Sequence, residues 1–178
     1  MTGATLDITP GNTFQNTGLI TAYTGDTVDI TANYSWANAG KLRILTNGHI
    51  IIQSSASTPA YTFNLVSNST LDIQLGSAGA SGLLSVSGNL QLNSGSIISL
   101  SQLAGTTFTT PYDIINYTGT LTGTFTDVTP GYVLDYTSHP GEILVTAVPE
   151  PAALAIFALG FAGLALCRRK CLKRNIAA

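Results

Sequence analysis

Positive charge is scarce in the first 151 residues of this 178-residue chain. Lys41 and Arg43 are the two cations there, and against nine acidic residues they leave a formal charge of −7. The other five cations lie in the last eleven residues. Because a phosphate backbone needs a basic face, we expect no nucleic acid partner for this part of the chain. Phosphoryl transfer by arginine clamps is disfavoured for the same reason.

Cysteine and histidine are equally rare. Cys167 and Cys171 both lie near the C-terminus, so the preceding residues hold no disulfide and no thiol nucleophile. His49, which follows an Asn-Gly pair, is expected in a turn, and His139 is expected in a solvated loop. The sequence lacks the common nucleophile, zinc-protease, phosphate-loop and calcium-loop motifs. We therefore expect a protein that is not an enzyme and that holds no metal and no cofactor.

Threonine, serine and glycine are abundant before the C-terminal segment, which disfavours a helical bundle and favours β structure. Apolar-x-apolar triplets recur there at a nearly regular spacing: Leu6-Asp7-Ile8, Val28-Asp29-Ile30, Ile50-Ile51-Ile52, Leu71-Asp72-Ile73, Leu90-Gln91-Leu92, Tyr112-Asp113-Ile114 and Leu134-Asp135-Tyr136. The spacing predicts a parallel β-solenoid with coils of about 21 residues over residues 1–105, with a β-sandwich as the alternative. In-register coils would place Asp7 over Asp29 and Asp113 over Asp135.

Residues 106–148 carry a denser pattern of short strands. Four apolar stretches follow one another through short linkers: Tyr112–Tyr117, Leu121–Phe125, Tyr132–Tyr136 and Ile143–Ala147. Short linkers suit antiparallel pairing. Because the open end of a solenoid exposes unpaired strand edges, we expect an antiparallel β cap here.

An uninterrupted apolar run stands near the C-terminus, at residues 152–167. Fourteen of its sixteen residues are apolar and none is charged; Pro149-Glu150-Pro151 precede it and Arg168-Arg169-Lys170 follow it. The prolines favour a sharp helix start, and the basic cluster marks the cytoplasmic end of a membrane segment. A helix of this length spans about 24 Å, whereas the hydrocarbon core is about 30 Å thick. We therefore expect a single, marginal transmembrane helix at 152–167, with a buried core helix as the alternative.

This tripeptide, the apolar segment and the arginine-rich end, in this order, resemble the PEP-CTERM sorting signal of Gram-negative bacteria. The resemblance implies that Pro149, Glu150 and Pro151 carry recognition by exosortase, a transpeptidase-like protease of the membrane that processes such tails. It implies that 152–167 enters the inner membrane at least transiently, with Arg168, Arg169 and Lys170 as the cytoplasmic stop. The sorting domain is accordingly residues 149–178. Since residues 1–7 have no basic start and no apolar run, we expect a signal peptide and further coils upstream.

The body, residues 1–148, resembles two families of surface proteins. Residues 83–92 and 115–125 are similar to the end of autotransporter-associated β-strand repeat proteins, and residues 29–36 with 47–52 to filamentous-haemagglutinin-type repeats. These resemblances imply a right-handed parallel β-helix displayed at the cell surface as an adhesin or matrix component. Tyr34 and Trp36 alternate on one strand and so share a face, either as a contact for extracellular polysaccharide or as a cross-strand packing pair.

We therefore expect an exported cell-surface or extracellular-matrix protein with a structural or adhesive role, sorted and processed by an exosortase. One alternative is a polysaccharide-binding or, less readily, polysaccharide-cleaving β-helix, because acids one coil apart could bring two carboxylates together. Acids at solvent-facing repeat positions would give the same spacing without catalysis. The other alternative is a bitopic protein anchored in the inner membrane, with its body outside the cytoplasm.

Overall fold

The computed structural model describes residues 3–9, 13–32, 35–54, 61–105 and 111–148. The chain divides into two compact units, Met1–Ala147 and Val148–Ala178. The helix predicted at 152–167 lies outside the described residues. Among the residues that are described, there is no helix long and apolar enough to cross a membrane.

Short strands make up the described body. In chain order they are β1 (Thr5–Ile8), β2 (Thr13–Asn16), β3 (Leu19–Ala22), β4 (Thr27–Ala32), β5 (Ser35–Asn38), β6 (Lys41–Ile44), β7 (His49–Ser54), β8 (Thr62–Leu65), β9 (Thr70–Leu75), β10 (Leu83–Val86), β11 (Asn89–Leu92), β12 (Ile97–Gln102), β13 (Tyr112–Tyr117), β14 (Leu121–Thr122), β15 (Asp127–Val128), β16 (Tyr132–Asp135) and β17 (Glu142–Ala147). Turns and short connections separate many of them.

The strands form three sheets, and successive strands up to β15 belong to the first, second and third sheet in turn. The first sheet has the order β1-β4-β7-β10-β13-β17-β16, the second β2-β5-β8-β11-β14 and the third β3-β6-β9-β12-β15. The pairs that join β1 to β15 within these sheets are parallel. Each strand from β4 to β15 thus pairs with the strand three places earlier in the chain, an arrangement that is compatible with a β-solenoid. The prediction of a mainly β fold is confirmed.

The predicted regular coil length holds only at the start of the body. In the first sheet the register partners Thr5, Thr27 and His49 follow one another at equal steps close to the predicted one. The next partner, Leu83, lies much further along the chain from His49. Each coil contains three strands, so extra residues in a connection lengthen the coil and leave the register of the strands unchanged. A fixed period was therefore the wrong expectation for the later coils.

The apolar triplets also belong to different sheets. Those at residues 6–8, 28–30 and 50–52 stack in register in the first sheet. The triplet at 71–73 lies in β9 of the third sheet, and the one at 90–92 lies in β11 of the second. Since inward and outward side chains alternate in strands of all three sheets, the triplet pattern finds strands but does not assign them to a sheet.

The stacking of aspartates was predicted correctly at one of two places. Asp7 and Asp29 are register partners, and Gln53 Nε2 donates to both carboxylate oxygens of Asp29 at 2.9 and 2.8 Å. Asp113 and Asp135 are not neighbours, because each pairs with Leu144 on opposite sides of β17. The insertion of an antiparallel strand between them is what the sequence pattern did not reveal.

The C-terminal end of the body differs in part from the predicted cap at 106–148. Strands β13, β14 and β15 continue the three parallel sheets as a further coil. Among the named strands, β17 pairs antiparallel with both β13 and β16, so that β16 and β17 form a ribbon added to the edge of the first sheet at β13. This ribbon covers the edge of one sheet with paired backbone groups.

The core consists of inward side chains that stack in rows from coil to coil. One row in the second sheet is aromatic: Trp36 stacks between Phe14 and Phe63, with ring centroids 5.5 and 4.4 Å away. At the corner after this row the backbones of neighbouring coils come close together. A Cβ atom on Gly40 would collide with the carbonyl oxygen of Gly18, so this corner requires glycine.

Candidate functional site

The only two cations of the body meet on the outward face of the third sheet. Lys41 and Arg43 alternate on β6, so both point away from the core. Lys41 Nζ lies 2.8 Å and Arg43 Nε 2.9 Å from the same oxygen, Oδ2 of Asp72 on β9. Burial raises the pKa of Asp72, but the hydrogen bonds and charges of the two cations outweigh it, and the pKa lies below its ordinary value. Asp72 is therefore ionised at neutral pH.

A cleft of about 310 Å³ opens beside this ion pair. Strands β6, β9 and β12 of the third sheet, with the residue that follows β6, line it through Arg43, Leu45, Asp72, Gln74 and Ser101. Asp72 is the register partner of Arg43, and Ser101 is the register partner of Gln74, so the polar groups form two parallel rows. The side chain of Gln74 is held in position by Thr46, whose backbone nitrogen and hydroxyl donate hydrogen bonds to its Oε1.

A second polar patch lies on the outward face of the first sheet. His49 Nε2 and Ser85 Oγ are 2.7 Å apart across β7 and β10. Burial lowers the pKa of His49, so its ring is neutral at neutral pH. His49 was expected in a turn, but it is the first residue of β7; the turn ends at Gly48, one residue earlier. The contact joins a neutral imidazole to a hydroxyl that lies two register positions along the neighbouring strand.

Three further polar residues lie near the antiparallel ribbon. Burial raises the pKa of Asp113, with a smaller contribution from the charge of Glu142, while a hydrogen bond from Asn116 opposes the rise. Asn116 is the register partner of Glu142. Among the described residues, the buried atoms Asp113 Oδ1 and Asn116 Oδ1 have no hydrogen-bond partner. No group of three His, Cys, Asp or Glu residues within the described ranges is placed to hold a metal ion.

Trp36 does not have the position that a glycan contact requires. Its side chain is fully buried, and both ring faces are covered by Phe14 and Phe63. The alternative interpretation, a cross-strand packing residue, describes it correctly, because the inward face of β5 carries the aromatic row. Tyr34, the other candidate for glycan contact, lies outside the described residues.

The predicted sorting residues follow directly after the body. The last strand, β17, ends at Ala147. Pro149, Glu150 and Pro151, and the basic stop of Arg168, Arg169 and Lys170, lie outside the described residues. The sorting signal is therefore identified by the order of the tripeptide, the apolar run and the basic cluster along the chain.

Comparison with known protein families identifies this segment. The PEP-CTERM protein-sorting motif matches residues 147–170, which include the Pro-Glu-Pro tripeptide, the apolar run and the first three basic residues after it. The predicted sorting signal is confirmed. No curated protein and no solved structure matches the chain, so the resemblance of the body to β-helix surface proteins stays a prediction. The motif supports an exported protein that an exosortase sorts and that is secreted or held in the cell envelope.

Proposed function

We propose that this protein is a structural or adhesive component of the cell surface or extracellular matrix, delivered and processed through its C-terminal segment. The match to the PEP-CTERM sorting motif at residues 147–170 is the observation that supports the proposal. The motif begins at the last residue of β17, so the body and the sorting signal adjoin along the chain without a long linker. The proposal assigns no catalytic step to the body.

The core of the described body is apolar and follows the parallel sheets. Stacked rows of buried apolar side chains, including Leu42, Leu71 and Ile98 in the third sheet, need neither a disulfide nor a cofactor to form a core. Successive coils add one strand to each sheet, about 4.8 Å further on. We propose that the coils wind right-handed, the hand that parallel connections strongly prefer.

The apolar run at 152–167 would serve as a temporary membrane segment. Its four Leu, one Ile and two Phe contribute about 2–4 kcal/mol towards insertion. This is enough to hold a chain during export, and processing by exosortase would then release the body. Retention of an intact tail in the inner membrane is the competing outcome.

Two matched glutamate substitutions test the proposal. Glu150→Gln removes the charge from the Pro-Glu-Pro motif, whereas Glu142→Gln makes the same chemical change in β17, before the matched segment. In a host with an exosortase, we expect Glu150→Gln to accumulate at full length in the inner-membrane fraction, while Glu142→Gln reaches the surface as the unmodified protein does. Fractionation followed by immunodetection of the body measures both.

Three outcomes decide the matter. Equal surface delivery of both variants would contradict recognition through Glu150. Recovery of the unmodified body in the cytosol would contradict export altogether. If the unmodified chain is found only in the inner membrane, with its tail intact, the bitopic alternative replaces the proposal.

A further inference from the structure

We propose that the cleft on the third sheet binds an acidic saccharide, a sugar ring that carries a carboxylate. The inference deepens the proposed surface role and rests on it, because it names what the body would adhere to. The cleft volume of about 310 Å³ is at the small end of the range for small-ligand pockets, about 300–1,000 Å³. It suits a group of one or two sugar rings and is too small for a folded partner.

The charges beside the cleft favour a negatively charged ligand. Lys41 and Arg43 share a single carboxylate, so this patch keeps one net positive charge. The first 151 residues as a whole carry −7. A ligand carboxylate is therefore attracted to the cleft and repelled by the remaining acids of the body, which places it here in preference to other surfaces.

Arg43 has nitrogen donors to spare for this carboxylate. Its bond to Asp72 runs through Nε, and the described part of the chain shows no bond from its two terminal nitrogens. A planar guanidinium presents its N–H groups as a fork that matches the two oxygens of a carboxylate. Asp72 holds the fork in place, because the ion pair fixes Nε at 2.9 Å from Oδ2.

The other cleft groups suit sugar hydroxyls. Both cations contact Oδ2 of Asp72, which leaves Oδ1 as an acceptor among the described residues. Gln74 uses Oε1 for Thr46, which leaves its amide N–H groups as donors, and Ser101 is exposed at the rim. Neighbouring strands are about 4.8 Å apart, and outward residues on one strand about 6.6 Å apart. These spacings match hydroxyls on one ring or on two adjacent rings.

The experiment is isothermal titration of the full chain in detergent with trigalacturonate, and with galactotriose as its neutral counterpart. Arg43→Gln and Lys41→Gln are the matched variants: each removes one cation of β6 and one bond to Asp72, but only Arg43 lines the cleft. We expect trigalacturonate to bind and Arg43→Gln to weaken it about tenfold or more. Lys41→Gln should weaken it by no more than about threefold, through charge alone. Ser101→Leu, a change at an exposed position, should block binding without affecting the fold.

Several results would overturn the inference. Equal weakening by Arg43→Gln and Lys41→Gln would show general attraction by charge and not a site. Equal binding of galactotriose would show that the site does not recognise the carboxylate. Competition by inorganic phosphate at equal concentration would show that it recognises an anion and not a sugar. Absence of trigalacturonate binding to a folded protein would reject the site. None of these results bears on surface delivery, which the glutamate variants measure separately.

Discussion

The inward and outward faces of the same strands follow different rules. On the inward face, side chains of the same type stack from coil to coil, as in the aromatic row of Phe14, Trp36 and Phe63. On the outward face they do not: one row of register partners in the first sheet reads Asp7, Asp29, Ile51, Ser85, Asn116 and Glu142. The difference shows that stacking constrains the interior, whereas the outer face is free to carry charges and clefts. Substitutions on the two faces should therefore differ greatly in cost.

The largest effect should come from the interior. Trp36→Ala removes the middle of the aromatic row and leaves a cavity between Phe14 and Phe63, which should lower the free energy of unfolding by about 3–5 kcal/mol. Ile51→Ala, at an outward and half-buried position of β7, should cost less than about 1.5 kcal/mol. Urea denaturation followed by far-UV circular dichroism measures both. A similar loss of unfolding free energy in the two variants would contradict the proposed difference between the inward and outward faces.

A corner substitution should have an intermediate effect. In Gly40→Ala the new methyl group meets the backbone of the previous coil at Gly18, so the two coils must separate, at about 1–3 kcal/mol. Gly18→Ala is the matched control, because the nearest atom to its added methyl, Asn16 Oδ1, lies at 3.9 Å. Thermal unfolding of both variants distinguishes them. Unchanged stability of Gly40→Ala would mean that the coils are not closely stacked at this corner.

The smallest effects should come from the outward carboxylates, and their signs should be opposite. The pKa of Asp72 is lowered on folding, so its contribution is present above the ordinary carboxyl pKa, near 3.9, and is lost as the pH falls through the lower folded value. Asp72→Asn should therefore cost less than about 1 kcal/mol at pH 7 and nothing in strong acid.

Asp113 behaves in the reverse manner, since burial raises its pKa on folding. Its ionised form is penalised in the folded state, so stability falls as the pH rises from the ordinary carboxyl pKa through the higher folded value. Asp113→Asn should stabilise the protein slightly at pH 7, and the gain should disappear in strong acid. Denaturation in strong acid and at pH 7 measures both variants. Destabilisation by Asp113→Asn at pH 7 would contradict the assigned cause.

The sequence revealed strands better than it revealed their arrangement. Alternation of apolar and polar residues depends on the pleat alone, so the triplets at residues 71–73 and 90–92 were recognised and do lie in strands. Sheet membership depends on the length of each connection, and the long step from His49 to Leu83 cannot be distinguished by pattern from a shorter one. Alternation also leaves the choice of face open, which is why Trp36 was a candidate for a glycan contact when it is in the core.

The cleft was missed because it depends on register between distant strands. Lys41 and Arg43 stood out in the sequence as the only cations of the body. Their partner, Asp72, lies on the neighbouring strand of the next coil. The sequence pattern stacked its triplet, residues 71–73, with the triplet at 50–52 and not with β6. The sorting signal was found from sequence because its parts are contiguous and their order is itself the signal.

Mass spectrometry of the protein recovered from the cell surface tests the central claim most directly. In a host that carries an exosortase, the account predicts a mature chain that contains the body but lacks the C-terminal peptide ending at Ala178. A strain without the exosortase should retain that peptide in its membrane fraction. Surface material that still ends at Ala178 would contradict the assignment of residues 147–170 as a processed sorting signal.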